Sequence, residues 1–400
     1  MKIVPLLGLA LVLSGPMPAD ADVVVDWNQQ VITSGGPQIQ RTLAMVHLAM
    51  FDAVNAIEPR YRPYLMLPAP PPGASPEAAA AAAARGVLVR LFPGQQGALD
   101  SLLVTSLAAI PDGEAKNDGI QYGDLVAQAT YLIRLTDHIL DPGPIYIAGA
   151  RPGDYQLTSP GPPQPVNTGG PLWAPFALTS AAQFRPNGPA KLTSPQYARD
   201  LEEVSLRGTQ GGLTLDEAQI AMWHTEQAQF QFNRIARVEV LSDGGTLLQH
   251  ARLFALLNMA LADATTSVFD AKYFFDFWRP STAIHNADLD DNDRTSADPM
   301  WAPFLTTPPH PEYPSAHAVV QGAAARVMKH YFGPHHSFET TAPSVPGVRR
   351  FYEDFDAYIE EGGLARILGG MHFRSSIDDG AQEGVRVGNW VINQFLQPVD

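Results

Sequence analysis

The sequence predicts an all-α protein, on three observations. Apolar residues recur at three- and four-residue steps in several long stretches. Ser or Thr caps and Pro or Gly stops bracket those stretches. No segment alternates apolar and polar residues as a half-buried strand does.

In "RTLAMVHLAMFDAVNAIEPRY", Leu43, Val46, Met50, Val54 and Ile57 share one helical face, and Pro59 ends the pattern. His47 lies on this apolar helix and is expected to be structural. "SPEAAAAAAARGVLVRLFPG" offers Ser75 as a cap, Pro76 in the first turn and Pro93-Gly94 as a stop. "LTLDEAQIAMWHTEQAQFQFNRIARVEV" opens with Thr214 and Glu217, the spacing of a capping box. Further helical patterns cover about 245–278, 314–332, 349–368 and 379–396. Between about Asp141 and Pro195 the chain is dense in Pro and Gly, and such a long irregular segment usually serves function or covers a surface. No shift in composition marks a linker, so residues 22–400 are expected to form one helical domain with that loop embedded. "DLDDNDRT", residues 288–295, approaches a calcium loop, but Asp293 stands where the turn needs Gly and Pro299 where the last ligand belongs. A solvated acidic turn is expected there.

Four hundred residues, 45% hydrophobic, bury a large core. The net charge of −15 disfavours nucleic acid and anionic membrane surfaces, which bind clustered Lys and Arg. With no cysteine, disulfides, thiolate metal sites and cysteine nucleophiles are excluded. The N-terminal "MKIVPLLGLALVLSGPMPADAD" has Lys2, an apolar run from Ile3 to Leu13, a Gly15-Pro16 breaker and a small-residue Ala19-Asp20-Ala21 site. That is the layout of a cleaved secretory signal, too short to span a bilayer. A signal peptide over 1–21, cut near Ala21, predicts a secreted or periplasmic protein, and no later run is long enough for a membrane span.

Three blocks late in the chain share one chemistry. "KYFFDFWRP" places Lys272 and Arg279 seven residues apart, which on a helix is two turns and one face. "YPSAH" offers the Ser315 hydroxyl, the Ala316 amide at a helix start, and His317. "ARILGGMHFR" holds Arg366 and His372, about 240° apart on an unbroken helix unless Gly369-Gly370 ends it. Three permanent cations, a hydroxyl, an exposed amide and two imidazoles suit a compact tetrahedral oxyanion.

Taken in order, the blocks resemble the three-part signature of the vanadium-dependent haloperoxidases and the related type 2 phosphatidic acid phosphatases: Lys, six residues, Arg-Pro; Pro-Ser-Gly-His; Arg, five residues, His. Here they are Lys272 to Arg279-Pro280, Pro314-Ser315-Ala316-His317, and Arg366 to His372. The resemblance implies a helical-bundle core with one vanadate per chain, held in a site built from about residues 270–380. Lys272, Arg279 and Arg366 would hold its equatorial oxygens, with Ser315 and the Ala316 amide adding hydrogen bonds. His372 would bond the vanadium, or serve as the phosphate-accepting nucleophile of a phosphatase. His317 would be the acid–base group.

Two departures stand out. Ala316 replaces the usual Gly, and Ser376 stands where the superfamily often has an Asp four residues after the last histidine, leaving Asp378 or Asp379 to orient His372. His310, five residues before Ser315, matches a place where bromide-oxidising members carry histidine and chloride-oxidising ones an aromatic. A second imidazole there would relay protons or meet peroxide or halide. The expectation is a haloperoxidase that oxidises bromide or iodide with hydrogen peroxide to hypohalous acid, with phosphate as a competing ligand. The alternative is a secreted acid phosphatase acting on a phosphate ester through a phospho-histidine. The resemblance permits a homodimer.

Overall fold

The computed structural model describes residues 22–158 and 161–399. The expected signal segment therefore lies outside the described residues. The rest is helical: α1 (Val23–Ser34), α2 (Ile39–Ile57), α3 (Pro76–Leu91), α4 (Gln96–Leu107) and α5 (Glu114–Ile133) precede the long loop. After it come α6 (Pro195–Arg207), α7 (Leu215–Trp223), α8 (Ala228–Asp243), α9 (Leu247–Phe275), α10 (Pro280–His285), α11 (Ala316–Phe332), α12 (Phe355–Leu368) and α13 (Arg374–Gln394). No described helix is long and apolar enough to cross a membrane.

The caps are those the sequence predicts. Ser75 Oγ accepts from the Ala78 amide with Pro76 behind it, and Thr214 with Glu217 forms a capping box. Each such cap stabilises its helix by about 1 kcal/mol. Helix packing is close where small residues allow it. A Cβ at Gly123 of α5 would lie 2.3 Å from the Ala79 carbonyl of α3, and one at Gly384 of α13 would lie 2.0 Å from the Val319 carbonyl of α11. The second contact holds the helix that begins at Ser315 against the one that follows His372.

One hydrophobic cluster runs from Trp27 of α1 and Leu43, Val46 and Met50 of α2 through Phe254 and Leu257 of α9 to Val319 of α11 and Val391 of α13. His47 belongs to this core: it is stacked on Phe254, and its Nε2 meets Asn28 Nδ2 at 2.7 Å. The long loop is pinned onto α9. Buried Asp263 accepts from the amides of Phe176, Ala177 and Leu178 at 2.6, 2.7 and 2.8 Å, and Arg185 forks onto Asp270.

Three expectations need correction. Residues 349–368 are not one helix: Phe338–Thr341 and Arg349–Tyr352 pair as an antiparallel hairpin (β1 and β2) before α12 begins. The stretch opened by Thr214 breaks after Trp223 and resumes at Ala228, so α7 and α8 are separate. Lys272 and Arg279 do not share a helix, because α9 ends at Phe275 and Asp276 turns left-handed at φ 50°. The 288–295 turn is solvated at Asp288, Asp291, Asp293 and Arg294, as expected, around a buried pair, Asp290 and Asn292. Asp290 is 2% exposed and accepts from the Thr295 hydroxyl and the Asn292 amide. Among the described residues no cluster of three or more His, Asp or Glu is arranged to hold a metal ion.

Candidate active site

The three sequence blocks meet at the ends of α9, α11 and α12. Lys272 sits in the last turn of α9 and is fully buried. Its three N–H donors reach the carbonyls of Pro311, Glu312 and Pro314 at 2.8, 2.8 and 2.7 Å. The ammonium therefore folds the 311–314 segment around itself, and touching an anion would require exchanging one of those bonds. Burial first, and the Arg279 charge second, lower its pKa well below the ordinary lysine value.

Arg279 is the residue before α10, in extended backbone at φ −78°, ψ 156°. Its Nε donates to the His310 carbonyl at 2.8 Å, and its Nη1 to the Met371 carbonyl at 3.0 Å. The same Nη1 lies 3.2 Å from His372 Nε2, and Nη2 lies 2.9 Å from His310 Nδ1. One guanidinium thus spans both imidazoles. His310 is 8% exposed, with its ring edge-on to Phe269 at 5.3 Å, so it is a site residue and not a surface loop residue.

Ser315 caps α11 without bonding it: its Oγ is buried and has no partner. Ala316 opens the helix, where backbone amides lack intrahelical acceptors. Helical backbone has negative φ, so alanine is unstrained at the position where relatives carry glycine. His317 follows in the first turn. It lines the cavity described below, and its Nε2 is shut away and unpartnered, which leaves Nδ1 as the open nitrogen. Burial, then the Arg366 charge, hold its pKa well below 6.5, so it is a neutral imidazole.

Gly369 and Gly370 do end α12, with Gly370 at φ 73°, and the chain folds back so that Arg366 and His372 line one cavity. Arg366 Nη2 donates to the His224 carbonyl at 2.5 Å, whereas its Nε has no partner. Burial pushes both Arg279 and Arg366 down to about 10, which leaves them charged at neutral pH.

The carboxylate that orients His372 is Glu312, which corrects the assignment to Asp378 or Asp379. His372 Nδ1 lies 2.8 Å from Glu312 Oε1, which also accepts from the Phe373 amide at 3.0 Å. Asp379 instead accepts from the Tyr313 hydroxyl at 2.7 Å, and Asp378 is exposed. Because Oε1 is an acceptor, Nδ1 must carry the proton and Nε2 keeps its lone pair. Burial pushes Glu312 up to about 7 against the opposing charges of Lys272 and Arg279.

His310, Ala316, His317, Arg366 and His372 border a cavity of about 540 Å³, within the range of small-molecule sites. Its wall also takes Gln38 and Ile39 from the start of α2, Phe230 from α8, and Val166 and Asn167 from the long loop. The helices before the loop therefore shape the cavity and are more than packing partners. Val166 N bonds the Pro309 carbonyl at 2.9 Å and Gln38 Nε2 bonds Asn167 Oδ1 at 2.8 Å, tying that wall to the His310 segment. Glu312 and His224 escape a reading by motif because neither stands at a motif position. The one local hint for Glu312 was its place between His310 and Ser315.

Ser315 Oγ and Arg366 Nε are buried donors without acceptors, each costing about 1–3 kcal/mol if left unmade. A tetrahedral oxyanion supplies those acceptors, and an electrophilic centre at its heart suits the Nε2 lone pair of His372, which would exchange its contact with Arg279 for it. The residues present fit vanadate or phosphate.

Comparison with known proteins agrees. Residues 252–400 match the family model described as the second helical-bundle domain of vanadium chloroperoxidase. The vanadium chloroperoxidase of Curvularia inaequalis is 37% identical over 92 residues, 20% of this chain and 14% of that protein. The crystal structure of a bacterial vanadium-dependent iodoperoxidase is similar over 96% of this chain and 100% of that one, at 27% identity and TM-score 0.78. An apo-type bacterial vanadium-dependent chloroperoxidase shares the fold at TM-score 0.70 and 17% identity, over 95% and 96% of the two chains. Residues 252–400 thus match the helical-bundle domain of vanadium chloroperoxidase, and the described fold as a whole is similar to that of bacterial vanadium haloperoxidases.

Proposed function

We propose that the protein is a vanadate-dependent haloperoxidase that oxidises bromide or iodide with hydrogen peroxide to hypohalous acid. The observation that carries this reading is His372, held by Glu312 so that its Nε2 lone pair meets only Arg279, in a cavity it shares with Arg366, His310 and His317. His372 would bond the vanadium of one vanadate per chain. Ser315, the Ala316 amide, Arg279 and Arg366 would bind its oxygens, with the Lys272 charge behind them. Bound vanadate would supply a Lewis acid that keeps its oxidation state while hydrogen peroxide is activated toward halide.

The chain's own residues do the rest. The buried guanidinium groups of Arg279 and Arg366 stabilise negative charge as it develops. His317, neutral in the free protein, takes a proton from hydrogen peroxide at Nδ1 and returns it to the departing oxygen. His310, hydrogen-bonded to Arg279 and packed on Phe269, stands at the cavity wall where halide would approach.

An acid phosphatase remains the second reading, and one observation favours it. The Glu312–His372 pair supplies the orienting carboxylate that a nucleophilic histidine needs, so Ser376 in place of Asp is no obstacle. Phosphate would occupy the same donors and compete with vanadate. In either case residues 22–400 would act outside the cytoplasm, as one domain freed of its leader.

The test is His372→Ala. Vanadate-dependent bromination should fall at least about 1,000-fold while phosphate binding, read by calorimetry, stays within about tenfold. Retained bromination would contradict the assignment.

A further inference from the structure

The cavity is larger than its oxyanion requires. A tetrahedral oxyanion takes the room of four or five waters, about 120–150 Å³, against about 540 Å³ in all. The lining falls into three zones. At the base stand His310, His317, Arg366 and His372. Next comes an apolar throat of buried Val268, Phe269 and Val320 with half-buried Phe230, where Phe269 packs edge-on to His310 at 5.3 Å. The mouth carries exposed Val166 and Gln227 and half-buried Asn167.

Carboxamides surround that mouth. Gln38 of α2 donates to Asn167 of the long loop at 2.8 Å, Gln40 donates to Gln38, and Gln229 of α8 donates to Gln227. Each carboxamide can make four hydrogen bonds, so these contacts fix the groups and leave donors and acceptors for a guest. Among the described residues that line the cavity, Arg366 is the one permanent charge. A charged guest would lie in the throat without a partner, which is costly. An uncharged one, apolar in body and polar at one end, matches the walls.

We propose that the throat and mouth bind an uncharged phenol-like aromatic, the acceptor that takes the halogen. The proposal rests on the haloperoxidase reading and names the substrate that reading leaves open. The ring packs against Phe230, Phe269 and Val320, and its hydroxyl bonds the carboxamides. With the hydroxyl at the mouth, the para carbon points to the base, where hypobromous acid forms. The ring carbon attacks bromine there: the C–Br bond forms, the Br–O bond breaks, and the ring proton leaves with the hydroxide as water. The ring is oxidised by two electrons and the bromine is reduced.

Val166 is the place to close the mouth without disturbing the fold. Its amide bonds the Pro309 carbonyl at 2.9 Å and its carbonyl accepts from the Tyr273 hydroxyl, so the backbone is held, while the residue is 41% exposed. A larger side chain there narrows entry for a ring and still admits peroxide and halide. Gln227, also exposed, offers a carboxamide that can be removed without opening a core.

Two arms test the subsite. In the first, phenol is titrated by calorimetry into vanadate-free protein saturated with phosphate, which fills the base. Phenol should bind the wild type, about tenfold or more weaker in Val166→Trp and about threefold or more weaker in Gln227→Ala. Phosphate affinity within about twofold of wild type checks that both variants keep the site. Absence of phenol binding, or binding that both variants leave unchanged, overturns the proposal. In the second arm, vanadate-loaded protein brominates phenol. The rate should saturate with phenol, and the para-to-ortho ratio should exceed that of reagent hypobromous acid by about threefold or more. Val166→Trp should bring the ratio back toward the reagent's while triiodide formation from iodide, without phenol, stays within about twofold. A wild-type ratio equal to the reagent's overturns the proposal. If the wild type hydrolyses phosphate esters and oxidises no halide, the functional reading fails, and the first arm still decides whether the subsite exists.

Discussion

Glu312 and His372 stand 60 residues apart in the chain and meet at 2.8 Å, with side chains only 0% and 4% exposed. The contact depends on the carbonyls that Lys272 gathers and on the turn at Gly369-Gly370. It decides which nitrogen of His372 is free. Glu312→Ala should weaken vanadate binding by about 10- to 100-fold, the range seen when the outer partner of a ligating histidine is removed. Vanadate titration checks this, and Glu312→Gln, whose amide oxygen still accepts from Nδ1, should lose less.

Ser315→Ala separates binding from folding. The hydroxyl is a buried donor with no partner in the fold, so urea stability should hold or rise, by up to about 1–3 kcal/mol. Affinity for phosphate should nevertheless drop about 10-fold or more, the loss of one hydrogen bond to a charged group. A large fall in stability with unchanged affinity would show that Ser315 serves the fold.

Lys272→Met should do the opposite. It fills a similar volume but strands three carbonyls, at a cost of about 3 kcal/mol or more. Urea unfolding measures the loss, and hydrogen exchange should localise the loosening to the 311–316 segment.

Much of the site is legible in the sequence because its three blocks are local. Each sits at a helix end whose caps, prolines or glycines are visible in a few residues, and Gly369-Gly370 predicts the turn that brings Arg366 and His372 together. What connects the blocks is not local. Glu312 and His224 reach their partners only through tertiary packing, and no spacing rule links positions 60 or 142 residues apart. The convergence of Lys272 and Arg279 was expected for the wrong reason, since Asp276 ends the helix between them. The hairpin escaped because its strands are four residues long, too short for alternation to register.

Acid should destabilise the protein through buried neutral histidines. Burial, then the Arg237 charge, lower His47 to about 3 against 6.5. A histidine whose pKa is depressed on folding contributes stability above its unfolded value, lost as pH falls from about 6.5 toward 3. At pH 5 the His47 share is about 2 kcal/mol. His310, His317 and His372 are lowered too and act in the same direction. Urea unfolding at pH 7 and pH 5 should show a smaller drop in His47→Gln than in wild type.

The most direct measurement splits one purified, phosphate-free sample. One half receives orthovanadate, hydrogen peroxide and bromide, with bromination of a dye followed over time. The other receives para-nitrophenyl phosphate without vanadate. The account predicts vanadate-dependent bromination that added phosphate suppresses. Hydrolysis of the ester that vanadate inhibits, with no bromination, would contradict it and make His372 a phosphate-accepting nucleophile.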